Sequence, residues 1–126
     1  MSQTDIKYFT VREANKTLPL VKKIVKDILD SAYQVKTIAE SFNGKIDENK
    51  EINQYLADIE YYMKELEEIG CSYKDWNYEI GLVDFPAVIE GEEVLLCWRS
   101  DEEKIIYYHG INDGYAGRKP IPEELL

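Results

Sequence analysis

From Leu20 onward, apolar residues recur at heptad spacing. Val21, Ile28, Val35 and Phe42 stand seven apart, with Ile24, Val25, Ala32, Ile38 and Ala39 between them. That stripe predicts a helix with one continuous apolar face of the coiled-coil type. Upstream, Thr10 is followed three residues later by Glu13, the spacing of a capping box that satisfies orphan amides at a helix start. The helix is therefore placed over 11–42, with a kink or a restart near Pro19, which lacks an N–H and clashes with the preceding turn. Asn43-Gly44 supplies the stop. A second helix is expected over 48–69, capped by Asp47, striped by Ile52, Leu56, Ile59, Met63 and Leu66, and closed by Gly70. Each arm is roughly 22 residues, about 33 Å long. Equal arms and a short connection predict an antiparallel helical hairpin.

Beyond Gly70 the helical period ends. Residues 71–80 hold Tyr73, Trp76 and Tyr78 without periodicity and read as an ordered connector. Three short β candidates follow, at 82–89, 93–99 and 105–109, giving an antiparallel sheet over 82–109. Glu90-Gly91-Glu92 is the expected turn between the first two, and Ser100 to Lys104 between the last two. Pro86 puts the first strand at an edge or interrupts it. Residues 110–126 read as an ordered C-terminal loop. The predicted fold class is α+β in one domain, 1–126: a helical hairpin, then a three-stranded antiparallel sheet, then the tail. Strands two and three carry apolar residues on both faces, which predicts a sheet covered on both sides. The hairpin covers one face, and self-association, most simply a homodimer, is the expected cover for the other.

The chain has 126 residues, 44% of them hydrophobic, and a net charge of −10 from 15 basic and 25 acidic side chains. That length fits one domain with a real core. The acidic balance argues against nucleic-acid binding and against an anionic membrane surface. Two cysteines, Cys71 and Cys97, form no metal-type spacing. With neither a signal-peptide pattern nor an apolar run of ~20 residues, a cytoplasmic protein with reduced thiols is expected.

Four ordered motifs carry a family resemblance: FT-x-x-EAN-x-x-LPLV at 9–21, GLVDFPA at 81–87, LLCWR at 95–99 and H-x4-G-x-x-GRKPI at 109–121. Together they span nearly the whole chain, which resembles domain of unknown function 2203, a family of small bacterial and archaeal proteins. Tyr108 departs from the tryptophan expected before the histidine, an aromatic for an aromatic. The resemblance implies a single small prokaryotic domain and carries over no activity, cofactor or catalytic residue.

Most residue types able to carry chemistry gather between Gly81 and Ile121. His109 is the only histidine. It is a candidate ligand or general base, with Asp84, Glu102, Glu103 and Asp113 as carboxylate partners for a divalent iron, zinc or manganese ion. The competing reading is a strand-end histidine bonded to a carboxylate or carbonyl. Arg99 and Arg118 form the second candidate, able to bind a small carboxylate or phosphate beside the Gly114–Gly117 loop. Against it stands a structural salt bridge to an acidic neighbour. Trp98 and Tyr115 are candidate lining residues for such a ligand pocket, though aromatics more often anchor a core or interface.

Cys97 shares a face with His109 if Arg99 is in register with Ile105, and takes the opposite face if the register slips by one. Its apolar neighbours favour an inert buried thiol over a nucleophile.

Three readings result. The first, which the residues favour, is a non-enzymatic, oligomerising binding or assembly module. The second is a metal site centred on His109 with carboxylates, and the third a small-anion site at Arg99 and Arg118.

Overall fold

The computed structural model describes residues 6–41 and 49–126. Two helices come first, α1 (Val11–Glu40) and α2 (Lys50–Ile69). Five strands follow: β1 (Ser72–Tyr73), β2 (Leu82–Ile89), β3 (Glu92–Arg99), β4 (Tyr107–Gly110) and β5 (Lys119–Pro120). The strands form one antiparallel sheet in the order β1-β2-β3-β4-β5, so neighbours in sequence are neighbours in space. The expected α+β class holds, but the sheet has five strands rather than three. β1 and β5 are two-residue strands, too short to show any hydrophobic period. No helix among the described residues is long and apolar enough to cross a membrane.

At the start of α1, the Thr10 side chain accepts the Glu13 amide and the Glu13 carboxylate accepts the Thr10 amide, a complete capping box. The helix continues through Pro19 as one element to Glu40. Phe42, Asn43-Gly44 and Asp47 lie outside the described residues. The cap of α2 is Asn49, whose side chain accepts the Ile52 amide at 2.9 Å. Gly70 ends α2 at φ 112°, a left-handed position suited to glycine.

The heptad face of α1 is the buried one: Val21, Ile24, Val25 and Ile28 are in the core, while Val35 is half-buried. On α2, Ile52, Ile59 and Leu66 are buried, but Leu56 is 48% exposed and lines an open groove with Tyr33. The helices cover one face of the sheet through Val83, Phe85, Ala87 and Ile89 of β2 and Val94, Leu96 and Trp98 of β3. Phe9 crosses to the sheet as well, packing edge-on against Phe85 and donating its amide to the Pro86 carbonyl at 2.8 Å. β1 reaches only to Val83 and Asp84, so at Pro86 strand β2 has no strand on that side.

Two local features set the register. Ile89 pairs with Glu92, leaving the two-residue loop Glu90-Gly91 with φ of 53° and 82°. Both positive angles match the type I′ turn whose twist suits a hairpin. The expected three-residue turn is one residue too long. Strand β4 starts at Tyr107 rather than Ile105, because the Ile105 backbone is occupied elsewhere. Its N–H donates to Asn15 Oδ1 at 2.8 Å, and its carbonyl accepts Asn15 Nδ2 at 3.2 Å.

Candidate metal centre

In β2 the odd-numbered residues face the helices, so Asp84 projects to the other side of the sheet. Asp84 is paired with Cys97 across β2 and β3, and Cys97 with Tyr107 across β3 and β4. His109, paired with Leu95, lies two residues further along β4 and on the same face as Cys97, since side chains alternate along a strand. Strand parity thus delivers three potential ligands to one point. One ligand atom from each of Asp84, Cys97 and His109 lies within 4.8 Å of the others. All three side chains are buried, at 5%, 1% and 4% exposure. A cleft of about 380 Å³ adjoins them, bounded by Lys74, Leu95, Ile111, Asp113 and Tyr115.

The imidazole is held at both ends. Nδ1 is 2.9 Å from the Gly110 carbonyl and Nε2 is 3.3 Å from Asp84 Oδ1. A carbonyl only accepts, so Nδ1 carries the hydrogen and donates it, which in the neutral ring leaves the Nε2 lone pair aimed at the carboxylate. Two electron-rich atoms facing each other need a cation between them, either a proton or a metal ion. Burial pushes the Asp84 carboxyl above the usual carboxylate range, outweighing the opposing pull of His109 and Lys74. The Cys97 thiol is pushed up to about 12 by burial and by the nearby Asp84 charge. Without a metal the site therefore retains protons that a metal would displace.

A nucleophilic triad needs a different layout. There the acid holds one ring nitrogen while the other takes the nucleophile's proton. Here Asp84 lies at Nε2, and Nδ1 is committed to a backbone carbonyl. The arrangement converges on a point instead of relaying along a line. A backbone acceptor on the far nitrogen is the usual support of a ligating histidine.

Of the carboxylates expected to join His109, Asp84 alone belongs to this cluster. Asp113 lines the cleft but turns its carboxylate toward Gly110: a Cβ at that glycine would stand 2.6 Å from Asp113 Oδ2. Glu103 is exposed on the strip before β4, where its carbonyl receives Lys22 Nζ. Glu102 is bonded to Arg118 through both oxygens, at 3.0 and 2.6 Å.

Arg118 itself lies between the rings of Tyr107 and Tyr115, at 4.2 and 4.6 Å from their centroids. Its Nη1 also points to the Cys97 carbonyl at 3.5 Å, above the cluster. Arg99 is bonded at 2.6 and 2.7 Å to both oxygens of Asp101, and at 2.5 Å to the Tyr115 hydroxyl. Both guanidinium groups are thus turned to carboxylates of the β3–β4 loop. Trp98 is on the helix-facing side at 1% exposure, its indole N–H given to the Glu102 carbonyl at 2.8 Å.

Two residues of this region stand outside the expected sets. Cys97, expected to be an inert thiol or a nucleophile, sits among the potential ligands. The signal was the two-residue Glu90-Gly91 loop, which pairs Asp84 with Cys97. A three-residue turn moves them to opposite faces. Asp75 has no equivalent signal. Its buried carboxylate collects the amides of Asn77, Glu79, Ile80 and Gly81 at 2.8–3.2 Å and organises the connector before β2. Burial opposes its ionisation, but these four donors hold its carboxyl below the usual range.

Residues 7–121 match the family described as "Uncharacterized conserved protein (DUF2203)", and the chain belongs to that family. No curated protein and no solved structure matches it.

Proposed function

We propose that this member of the DUF2203 family binds one divalent transition-metal ion through Asp84, Cys97 and His109. The observation that carries the reading is the approach of three buried donor atoms to within 4.8 Å of one another, with the histidine's second nitrogen anchored on Gly110. A mixed sulfur, nitrogen and oxygen set suits zinc, with iron(II) next, and disfavours manganese, which prefers all-oxygen surroundings. Three protein ligands leave coordination free toward the cleft, the pattern of sites that engage water or substrate rather than closed structural sites.

The deciding experiment is elemental analysis of untagged protein, as purified and after zinc reloading, beside Asp84→Asn, Cys97→Ser and His109→Gln. Near-stoichiometric metal in the native chain and its loss in all three variants is the expected result. Native protein that stays metal-free after reloading, or variants that retain the full content, would sink the proposal.

Self-association through the hairpin is a second reading, independent of the metal. It is supported by Tyr33, Leu56 and Tyr61, which are 65%, 48% and 63% exposed on α1 and α2. Sedimentation equilibrium tests it: a dimer that dissociates in Leu56→Glu supports the reading, and a monomeric native protein ends it.

A further inference from the structure

A second cleft, of about 670 Å³, lies between the N-terminal half of α1 and the strip of residues 103–106 that leads into β4. Its floor is apolar, with Leu18 and Ile105 buried and Ile106 40% exposed at the edge. Its rim is basic: Arg12, Lys16, Lys22 and Lys104 surround the opening, with Glu103 the one acidic side chain among the described lining residues. In a chain with 25 acidic and 15 basic residues, that is a local inversion of sign. Arg12 and Lys16 are one turn apart on α1, and Lys104 stands on the facing bank. The Asn15–Ile105 hydrogen bonds fasten the two banks together, so the groove is formed in advance of any ligand. Leu126 lines the groove while 46% exposed, two residues beyond Glu124. A leucine closely preceded by carboxylates already rests at this rim.

The geometry points to a docking groove for an acidic, leucine-bearing peptide segment of a partner protein. Leucines would lie along Leu18, Ile105 and Ile106, and the partner's carboxylates would meet the cations of both banks. An amphipathic segment laid in an apolar groove is a common recognition mode. Opposite charge on the rims adds steering and register. Nucleic acid and anionic membrane are poorer fits, because each would bring an extended anionic surface against the acidic remainder of the chain, whereas a short peptide reaches only the basic rim.

The test uses the full chain and a synthetic amphipathic peptide with leucines on one face and glutamates on the other. Fluorescence anisotropy measures affinity, and amide shift perturbations locate the contact. The expected result is binding that weakens with salt, shifts centred on Ile105 and Ile106, and a loss of about tenfold or more in the Lys16→Glu, Lys104→Glu double variant. Both lysines are exposed, and a melting curve checks that the variant remains folded. Ile106→Asp provides an independent loss on the floor. The proposal fails if a lysine-for-glutamate peptide binds equally well, if the shifts map elsewhere, or if dodecanoate binds the groove while the peptide does not.

Discussion

Asp84 and His109 lie on strands that never pair, yet their side chains meet at 3.3 Å over Cys97 on the strand between them. The contact places a carboxyl that resists ionisation against a ring nitrogen whose lone pair points at it. The group that ties them, proton or metal, decides the energetics of this face of the sheet.

Asp84→Asn separates those two states. The buried carboxyl has its folded pKa raised above its ordinary value of 3.8. Protonated, it costs folding nothing, and stability is lost as pH rises through the folded value. In metal-free protein at neutral pH the amide should therefore be neutral or stabilising, with a smaller fall in melting temperature as pH rises from 3.8 through the folded value of the native carboxyl. With zinc added, the order should invert, since the native chain gains binding energy the variant lacks. Paired melts with and without zinc test this. A metal-free variant clearly less stable than native would contradict it.

Cys97 and Cys71 both have thiols pushed up to about 12, chiefly by burial. Three units above an ordinary thiol lowers the thiolate fraction at neutral pH by about 1000-fold. Neither should react with iodoacetamide at pH 8 in the native protein, and both should react once it unfolds. Mass spectrometry of a timed alkylation reads this directly. Zinc uptake should release the Cys97 proton, visible as acidification in a weakly buffered titration and absent in Cys97→Ser.

Arg118 and Glu102 form a two-point ion pair with side chains 12% and 14% exposed. Removing one partner leaves a charge largely cut off from water, so Arg118→Ala should cost about 2–3 kcal/mol, between the surface and the buried extremes. Lysine keeps the charge but not the fork or the stacking between Tyr107 and Tyr115, and should recover only part. A double-mutant cycle with Glu102→Gln in urea gives the coupling. Additive effects would rule out the pair as a unit.

Asp75 has the opposite pH dependence to Asp84. Its folded carboxyl is lowered below 3.8 by backbone donors, so its contribution is complete above that value and fades as pH falls through the folded one. Asp75→Ala strands four amides, that of Gly81 buried and the others partly so, and should cost about 2–3 kcal/mol at pH 7. Asparagine, able to accept fewer of these bonds, should fall between. Urea midpoints at pH 7 and pH 3 provide the check.

Long-period features of this fold were legible in the sequence. The heptad stripe of α1 is buried from Val21 to Ile28, and the Thr10–Glu13 box marks the helix start. The β3–β4 register came out as the alternative in which Cys97 and His109 share a face. What escaped was decided by single residues. One residue in the Glu90-Gly91 turn determines whether Asp84 faces Cys97, because side-chain direction flips at every step. Glu-Gly is a weaker turn signal than Asn-Gly or Asp-Gly. β1 and β5 are stabilised by neighbours rather than by their own patterns. Leu56 fits the α2 stripe by spacing and still faces solvent, since spacing alone cannot say where the neighbouring element stops.

The bonds from Asn15 to Ile105 span 90 residues of chain. During synthesis α1 therefore leaves the ribosome long before the segment that fastens it. For that interval Val21, Val25 and Ile28 have only α2 to lie against, while the sheet that buries them is still being made. Contacts of such separation slow folding and expose apolar surface to other chains. Substitutions at Asn15 should thus reduce the yield of soluble protein at high expression temperature by more than they lower the melting point of molecules that have already folded.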